Sequence, residues 1–275
     1  MGVESGSIKK LPNLANAEFL MAHYTRHVFE PHWHDTWAVG LVLKGAHDNS
    51  PRHDGSGIVA QGQVTLLEPG QLHAGHALGS ESCQYLMLYL PDTLLNDVEC
   101  WRQGPRSAIG SQGFQAPKLA KGLLAASRLE EACHPLECIN AETVWTELIN
   151  DFVSEITGSH GGVQARDVRS RSHAVERARQ YLHDNLRHPF SLDQLANAAG
   201  VSKYHLCRLF TANFGMPPQL YLRQIRVQRA RDLLRGTGTL SDIAFQAGFA
   251  DQSHLGRAFK RVHGVTPGAY AAATR

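Results

Sequence analysis

The 275-residue chain has no run of about 18 apolar residues, so no segment reads as a membrane-spanning helix. No continuous apolar stretch follows Lys9 and Lys10 either, and a secretory leader is not expected. Cysteine is scarce. The five (Cys83, Cys100, Cys133, Cys138 and Cys207) are an odd number without C-x-x-C spacing, which argues against a disulfide frame and for reduced thiols in the cytoplasm. Charged residues make up only 19% against 43% hydrophobic, so wholesale disorder is excluded and there is material for the cores of two domains. No internal period of solenoid type is present.

The charge that is there is unevenly spread. Residues 1–165 hold 10 Lys/Arg and 18 Asp/Glu, a net of −8, whereas residues 166–275 hold 17 and 7, a net of +10. Fifteen of those 17 cations are arginines. A segment this basic is the electrostatic footprint of a polyanion binder, set against the plainer reading of a solvated surface.

The first third reads as strands. His23 to Phe29, Trp37 to Lys44, Gly62 to Glu68 and Cys83 to Leu90 are short and rich in β-branched, aromatic or alternating apolar residues. Turn residues punctuate the gaps, notably Asp48-Asn49-Ser50-Pro51 and Pro69-Gly70. This predicts a β-sandwich or small barrel. From about Gln115 the period becomes helical, with Leu119, Leu123, Leu124 and Leu129, and then Val144, Trp145, Leu148, Ile149, Phe152 and Ile156. Two helices packed beside the barrel are expected, as core or as a dimer seam. Residues 159–172 have linker composition, and beyond them nearly everything reads helical, from His173 to His263.

That helical part contains a duplication. In Ser191-Leu192-Asp193-Gln194, Ser191 is an N-cap and Gln194 completes a capping box. Ala196 is small, Gly200 sits where the chain leaves the helix, and Ser202 caps a new helix from Lys203 to Phe214. Leu206, Leu209 and Phe210 are expected to face inward, and Lys203, Tyr204, Cys207 and Arg208 outward. The same pattern of small Ala and turning Gly returns at Ala244 and Gly248. The helix after it turns Leu255, Ala258 and Phe259 inward and Gln252, Ser253, Gly256, Arg257 and Lys260 outward. Between the copies, Pro218 to Arg235 is one uninterrupted helix with five arginines. Its 18 residues at ~1.5 Å each span roughly 27 Å. That suits two recognition helices on one side of a duplex whose major grooves recur about every 34 Å.

Residues from about Ala174 to Tyr270 resemble the DNA-binding domain of AraC/XylS-type transcription regulators. The resemblance rests on the first motif, on Arg226-Val227-Gln228-Arg229-Ala230-Arg231-Asp232-Leu233-Leu234, and on the run Ile243 to Tyr270 with Gly264-Val265-Thr266-Pro267. It implies contacts to DNA from Tyr204, Cys207 and Arg208 in the first recognition helix, and from Gln252, Ser253, Gly256 and Arg257 in the second. Gly256 has no side chain where the family commonly has a polar one, which thins direct readout there, and Cys207 is a weak donor.

The acidic half carries His32-Trp33-His34, Pro69-Gly70-Gln71-Leu72-His73, and His76. Residues i and i+2 of a strand share a face, so His32 and His34 can converge. Over roughly residues 20–95 this resembles the cupin barrel that precedes the DNA-binding domain in many AraC-type regulators. Cupin enzymes hold a metal through such histidines and a carboxylate about four residues on, and here that place is Ala38. The lost acid favours a sensor pocket over a metal site or catalysis. Its expected walls are His32, His34, Trp37, His73, His76 and Tyr85.

The expected protein is therefore α+β. Residues 1–158 form a cupin-like effector-binding and dimerisation domain with a β-barrel and a helical pair, 159–172 a linker, and 173–275 an all-α domain with two helix-turn-helix motifs. It is expected to be a cytoplasmic, sequence-specific transcription regulator, an effector-responsive activator and not an enzyme, with no metal or other cofactor. The expected partners are double-stranded promoter DNA, a small-molecule effector, RNA polymerase and a second copy of itself, with no membrane. The rivals are a cupin-type metal enzyme with a basic tail and an effector-blind architectural DNA binder.

Overall fold

A computed structural model describes residues 4–11, 14–79, 82–95, 111–131, 138–157, 173–188 and 191–275. The expected linker 159–172, with Cys100 and Cys133, lies outside the described residues. The chain divides into two compact units: Met1–Val28 with Trp33–Arg166, and Phe29–His32 with Asp167–Arg275.

Among the described residues the strands are β1 (Ser5–Leu11), β2 (Ala17–Tyr24), β3 (Val28–His32, whose last four residues group with the second unit), β4 (Trp37–Lys44), β5 (Ala46–Asp48), β6 (Ile58–Ala60), β7 (Val64–Leu67), β8 (His73–Ala77) and β9 (Cys83–Leu90), the others all in the first unit. One antiparallel sheet runs in the order β1-β2-β9-β4-β7, and in a second sheet β5 lies between β6 and β8. The expected barrel is not closed: the strands form two separate sheets. Strands β4 and β9 match their expected bounds, because each is a long apolar run. The expected strand His23 to Phe29 is broken at Thr25, where the Glu4 carboxylate accepts the Thr25 and Arg26 amides and turns the chain from β2 into β3. The polar edge strand β1 and the short β5, β6 and β8 carry too few alternating apolar residues to be seen in sequence.

Register sorts the first sheet into two faces. Trp37 stands opposite Leu90, Ala38 opposite Tyr89 and Val42 opposite Tyr85. Because side chains alternate, Trp37, Val39, Leu41, Leu86, Leu88 and Leu90 share one face. That face is covered by α2 (Pro117–Glu131) and α3 (Cys138–Thr157), which follow the short α1 (Asp92–Leu95). Leu119 and Leu123 of α2 and Leu148, Phe152 and Ile156 of α3 are buried against it. Trp37 meets Phe152 edge to face at 5.7 Å between ring centroids, and Phe19 meets Trp145 at 6.2 Å. Each such side chain contributes about 1.5–3 kcal/mol of burial energy. The apolar stripes of the helical pair are thus used as core.

The second unit is all helix from His173 onward: α4 (His173–Asp184), α5 (Leu192–Ala199), α6 (Lys203–Phe214), α7 (Pro218–Leu234), α8 (Leu240–Gln246), α9 (Gln252–His263) and α10 (Pro267–Thr274). The capping box at Ser191 and Gln194 is formed, and Gly200 ends α5 at φ 69°. Ser202, Thr239, Asp251 and Thr266 cap α6, α8, α9 and α10 with their side-chain oxygens. Helix α7 is buried around most of its circumference, through Tyr221, Leu222, Ile225, Val227, Ala230 and Leu234. The two helix–turn–helix pairs, α5–α6 and α8–α9, are packed on it.

Gly248 turns the chain between α8 and α9 at φ 85°, and a Cβ there would run into the Leu186 carbonyl oxygen. Gly248→Ala should lower the stability of this unit by about 1–3 kcal/mol. Gly256 lies inside α9, where a Cβ would meet nothing within 4 Å, so Gly256→Ala should raise it by about 0.5–1 kcal/mol. Urea denaturation followed by helical circular dichroism checks both signs.

Candidate nucleic-acid interface and effector pocket

The two second helices of the helix–turn–helix pairs present matching outer faces. On α6, Lys203, Tyr204 and Arg208 are exposed and Cys207 is half-buried, above an inner face of buried Leu206 and Phe210. Tyr204 is 74% exposed, and the Arg208 guanidinium lies over its ring at 5.7 Å. Leu209, expected inward, is half-buried at the margin of that face. Lys203 pairs with Asp193 at 2.9 Å across an exposed surface. On α9, Gln252, Ser253, Arg257 and Lys260 are exposed above buried Leu255, Ala258 and Phe259. Aromatic contacts fix both inner faces, Phe210 to Tyr221 at 5.2 Å and Phe259 to Tyr270 at 5.4 Å.

Several of the arginines counted in the basic half are structural instead. Arg226 donates to the carbonyls of Leu186 and His188, and burial lowers its pKa. Arg231 is 5% exposed, and its Nε donates to the Tyr270 hydroxyl at 3.2 Å. Arg177 donates to the Ala199 carbonyl, and Arg275 to those of Leu234 and Gly238. The guanidinium groups of Arg177, Arg226 and Arg275 thus satisfy carbonyls near helix ends that would otherwise need water. The formal charge of +10 therefore overstates what faces a polyanion. The sequence reading also missed a groove lined by Arg187, His188, Arg229, His254 and Phe245, the last 74% exposed. Its only sequence signal is an aromatic residue on the outer side of α8.

In the first unit, the face of the main sheet turned from the helices carries Tyr24, Tyr85 and Tyr89 among apolar residues. His34 is buried, with its ring 4.9 Å from that of His73 and 4.9 Å from that of Tyr89. The His73 Nδ1 lies 2.9 Å from the Gln71 carbonyl, so it carries the proton and leaves Nε2 as an acceptor. His47 behaves alike, with Nδ1 2.8 Å from Asn49 Oδ1 and its ring 5.3 Å from that of Tyr85. Burial dominates both imidazoles, and His47 and His73 are each pushed down to about 4. Burial also raises the Tyr85 hydroxyl well above its ordinary value, with the neighbouring Tyr24 and Tyr89 adding to it. The interior thus offers neutral imidazole acceptors and un-ionised phenols.

Two expected pocket residues are placed elsewhere. Trp37 is 1% exposed on the helix-covered face, opposite in sense to Tyr85, and its Nε1 donates to Asp92 Oδ1 at 3.2 Å. His76 is separated from His73 by the alternation of β8, and stands across from Asp48. His32 is buried, its Nδ1 2.6 Å from the Glu30 carbonyl. Ala38, in the place of the cupin carboxylate, is fully buried opposite Tyr89 and offers only a methyl group. His47 and Tyr89 escaped the sequence reading. Tyr89 could have been found from its i, i+4 relation to Tyr85 on one strand.

The buried neutral histidines have a consequence for stability. Their folded pKa values of about 4 lie below the ordinary 6.5, so they favour the native state fully above pH 6.5. That contribution is lost as the pH falls from about 6.5 toward about 4. Melting temperature should drop across this window, and His47→Gln with His73→Gln together should flatten the drop. Calorimetry at half-unit pH steps measures it.

Comparison with known proteins agrees with both halves. Residues 15–149 match the family described as AraC-like ligand binding domain, and residues 195–273 the family described as Helix-turn-helix domain. The chain is 27% identical over 233 residues to the uncharacterised HTH-type transcriptional regulator YbfI of Bacillus subtilis, covering 82% of this chain and 81% of that protein. It is 26% identical over 241 residues to the XylDLEGF operon transcriptional activator of Pseudomonas putida, covering 84% and 72%. Among solved structures, ToxT of Vibrio cholerae shares the fold at 15% identity, with a TM-score of 0.53 over 94% of this chain and 98% of that one. The chain, an acidic ligand-binding unit joined to a basic unit with two helix–turn–helix pairs, belongs to the AraC/XylS family of DNA-binding transcription regulators.

Proposed function

We propose that this regulator reads promoter DNA through the exposed faces of α6 and α9 and responds to a small molecule held between its two sheets. The observation that carries the DNA half is the pair of equivalent outer faces, each polar and exposed above a buried apolar one. Arg208 has the geometry for bidentate contact with guanine, and Tyr204 beneath it limits its freedom. Arg257 lies beside Gly256, which supplies no second contact, and acts through phosphate.

The effector half rests on buried His34, His47, His73 and Tyr85 in an AraC-like ligand-binding domain. A molecule with hydrogen-bond donors and an aromatic or apolar body suits neutral imidazoles flanked by tyrosines. It acts by binding one state of the protein better than another, since equal affinity for both would shift nothing. By name the XylDLEGF relative is an activator, and activation through contact with RNA polymerase is the role proposed here. Homodimerisation would use the surfaces of α2 and α3 turned from the sheet, where Leu124 is exposed.

Arg208→Ala should weaken binding by about 1–3 kcal/mol and relax preference at one base position. Arg257→Ala should weaken binding evenly across sequences and lower the salt slope by about one unit. Binding-site selection at two salt concentrations checks the difference, and equal loss of sequence preference in the two variants would refute it.

Screening the full chain by thermal shift against sugars, amino acids and aromatic acids identifies the effector. A ligand at a hundredfold excess over its Kd adds about 2.7 kcal/mol. His34→Ala or His73→Ala should then abolish the effector response of a reporter promoter while leaving DNA binding near wild type. A normal response in both would displace the pocket from this interior.

A further inference from the structure

Side chains with metal-ligand atoms gather on the other face of β8 from His73. Asp48 ends β5 directly across from His76 of β8, and residues opposite each other in an antiparallel pair project to one side. His53 returns to them through the connection between β5 and β6. The Asp48 carboxylate shapes that connection: Oδ1 accepts the Ser50 amide at 2.9 Å, and Oδ2 accepts the Ser50 hydroxyl at 2.8 Å and the Gly55 amide at 3.2 Å. The Ser50 carbonyl accepts the His53 amide at 3.1 Å, and His53 is held at φ 53°. Its ring meets that of His76 edge to face, with centroids 4.6 Å apart.

One candidate ligand atom from each of Asp48, His53 and His76 lies within 4.8 Å of the other two. Asp48 is buried, His76 half-buried and His53 exposed, so the group is open to solvent on one side. The Nδ1 of His76 is buried and has no hydrogen-bond partner among the described residues. An imidazole nitrogen buried without a partner is costly, unless something outside the chain satisfies it.

We propose that Asp48, His53 and His76 bind a first-row divalent ion of the zinc class. Two imidazole nitrogens and one carboxylate oxygen are a borderline donor set that suits zinc better than magnesium or calcium. Zinc sites with three protein ligands leave the fourth position to water, which matches the open side. Bond lengths of about 2.0–2.2 Å place the ligand atoms of one ion within this separation of one another, and the exposed His53 is the ligand with room to adjust. The amide and hydroxyl donors on Asp48 orient its carboxylate in the manner of outer-shell partners. A bound ion would pin the β5–β6 connection to β8. None of its three ligands is among His34, His47, His73 and Tyr85.

The test uses the full-length protein, stripped with a chelator and titrated with zinc by calorimetry and with cobalt by absorption. Wild type should bind one equivalent and show the ligand-field bands of a nitrogen–oxygen site. His53→Ala and His76→Ala should each weaken binding roughly tenfold or more, on the scale by which even outer-shell losses act. His34→Ala should bind as wild type does. No binding by wild type, unchanged binding in His53→Ala, or loss in His34→Ala would each overturn the assignment. Since His53 is an exposed loop residue, its variant decides the matter even if His76→Ala does not fold.

Discussion

The burial of α7 is the constraint from which the DNA-binding unit follows. A helix apolar on one stripe would hold one neighbour, but α7 is buried by Tyr221, Ile225, Val227, Ala230 and Leu234 on several sides. It therefore carries two helix–turn–helix pairs at once. The cost is that polar groups on it are enclosed as well, and each has been given a partner. Arg231 meets the Tyr270 hydroxyl, and Arg226 closes the carbonyls of Leu186 and His188. The outer faces of α6 and α9 are thereby fixed to one scaffold, and groups already held in place lose little freedom in any contact they make.

In the ligand-binding unit the corresponding device is the alternation of β4 and β9. One side of each strand is covered by α2 and α3, and on the other side β9 presents Tyr85 to His47 and Tyr89 to His34. The apolar side supplies the stability, so the polar side can hold buried imidazoles whose charged forms are disfavoured. The same alternation in β8 sends His73 inward and His76 to the Asp48–His53 group. A few strand residues thus divide their histidines between two chemistries.

Much of the DNA-binding half was legible in the sequence because its signals are local. N-caps, the turning glycines and the small alanines act within a few residues, and the structure shows them at Ser191, Ala196, Gly200, Ser202, Ala244 and Gly248. Arginine count, by contrast, misled in part: whether a guanidinium faces DNA or a carbonyl depends on what packs over it.

The sequence by itself determined the α+β order, the two basic and acidic halves, strands β4 and β9, and the exposed outer faces of α6 and α9, since these follow from local periodicity, capping and composition. Only the tertiary structure decided that the sheets stay open, that Trp37 belongs to the helix-covered core, and that His47 and Tyr89 join His34 and His73. These depend on strand register and on pairings between residues far apart in the chain. With a side-chain period of two, a shift of one residue exchanges core for pocket, and no local signal in the sequence sets that choice.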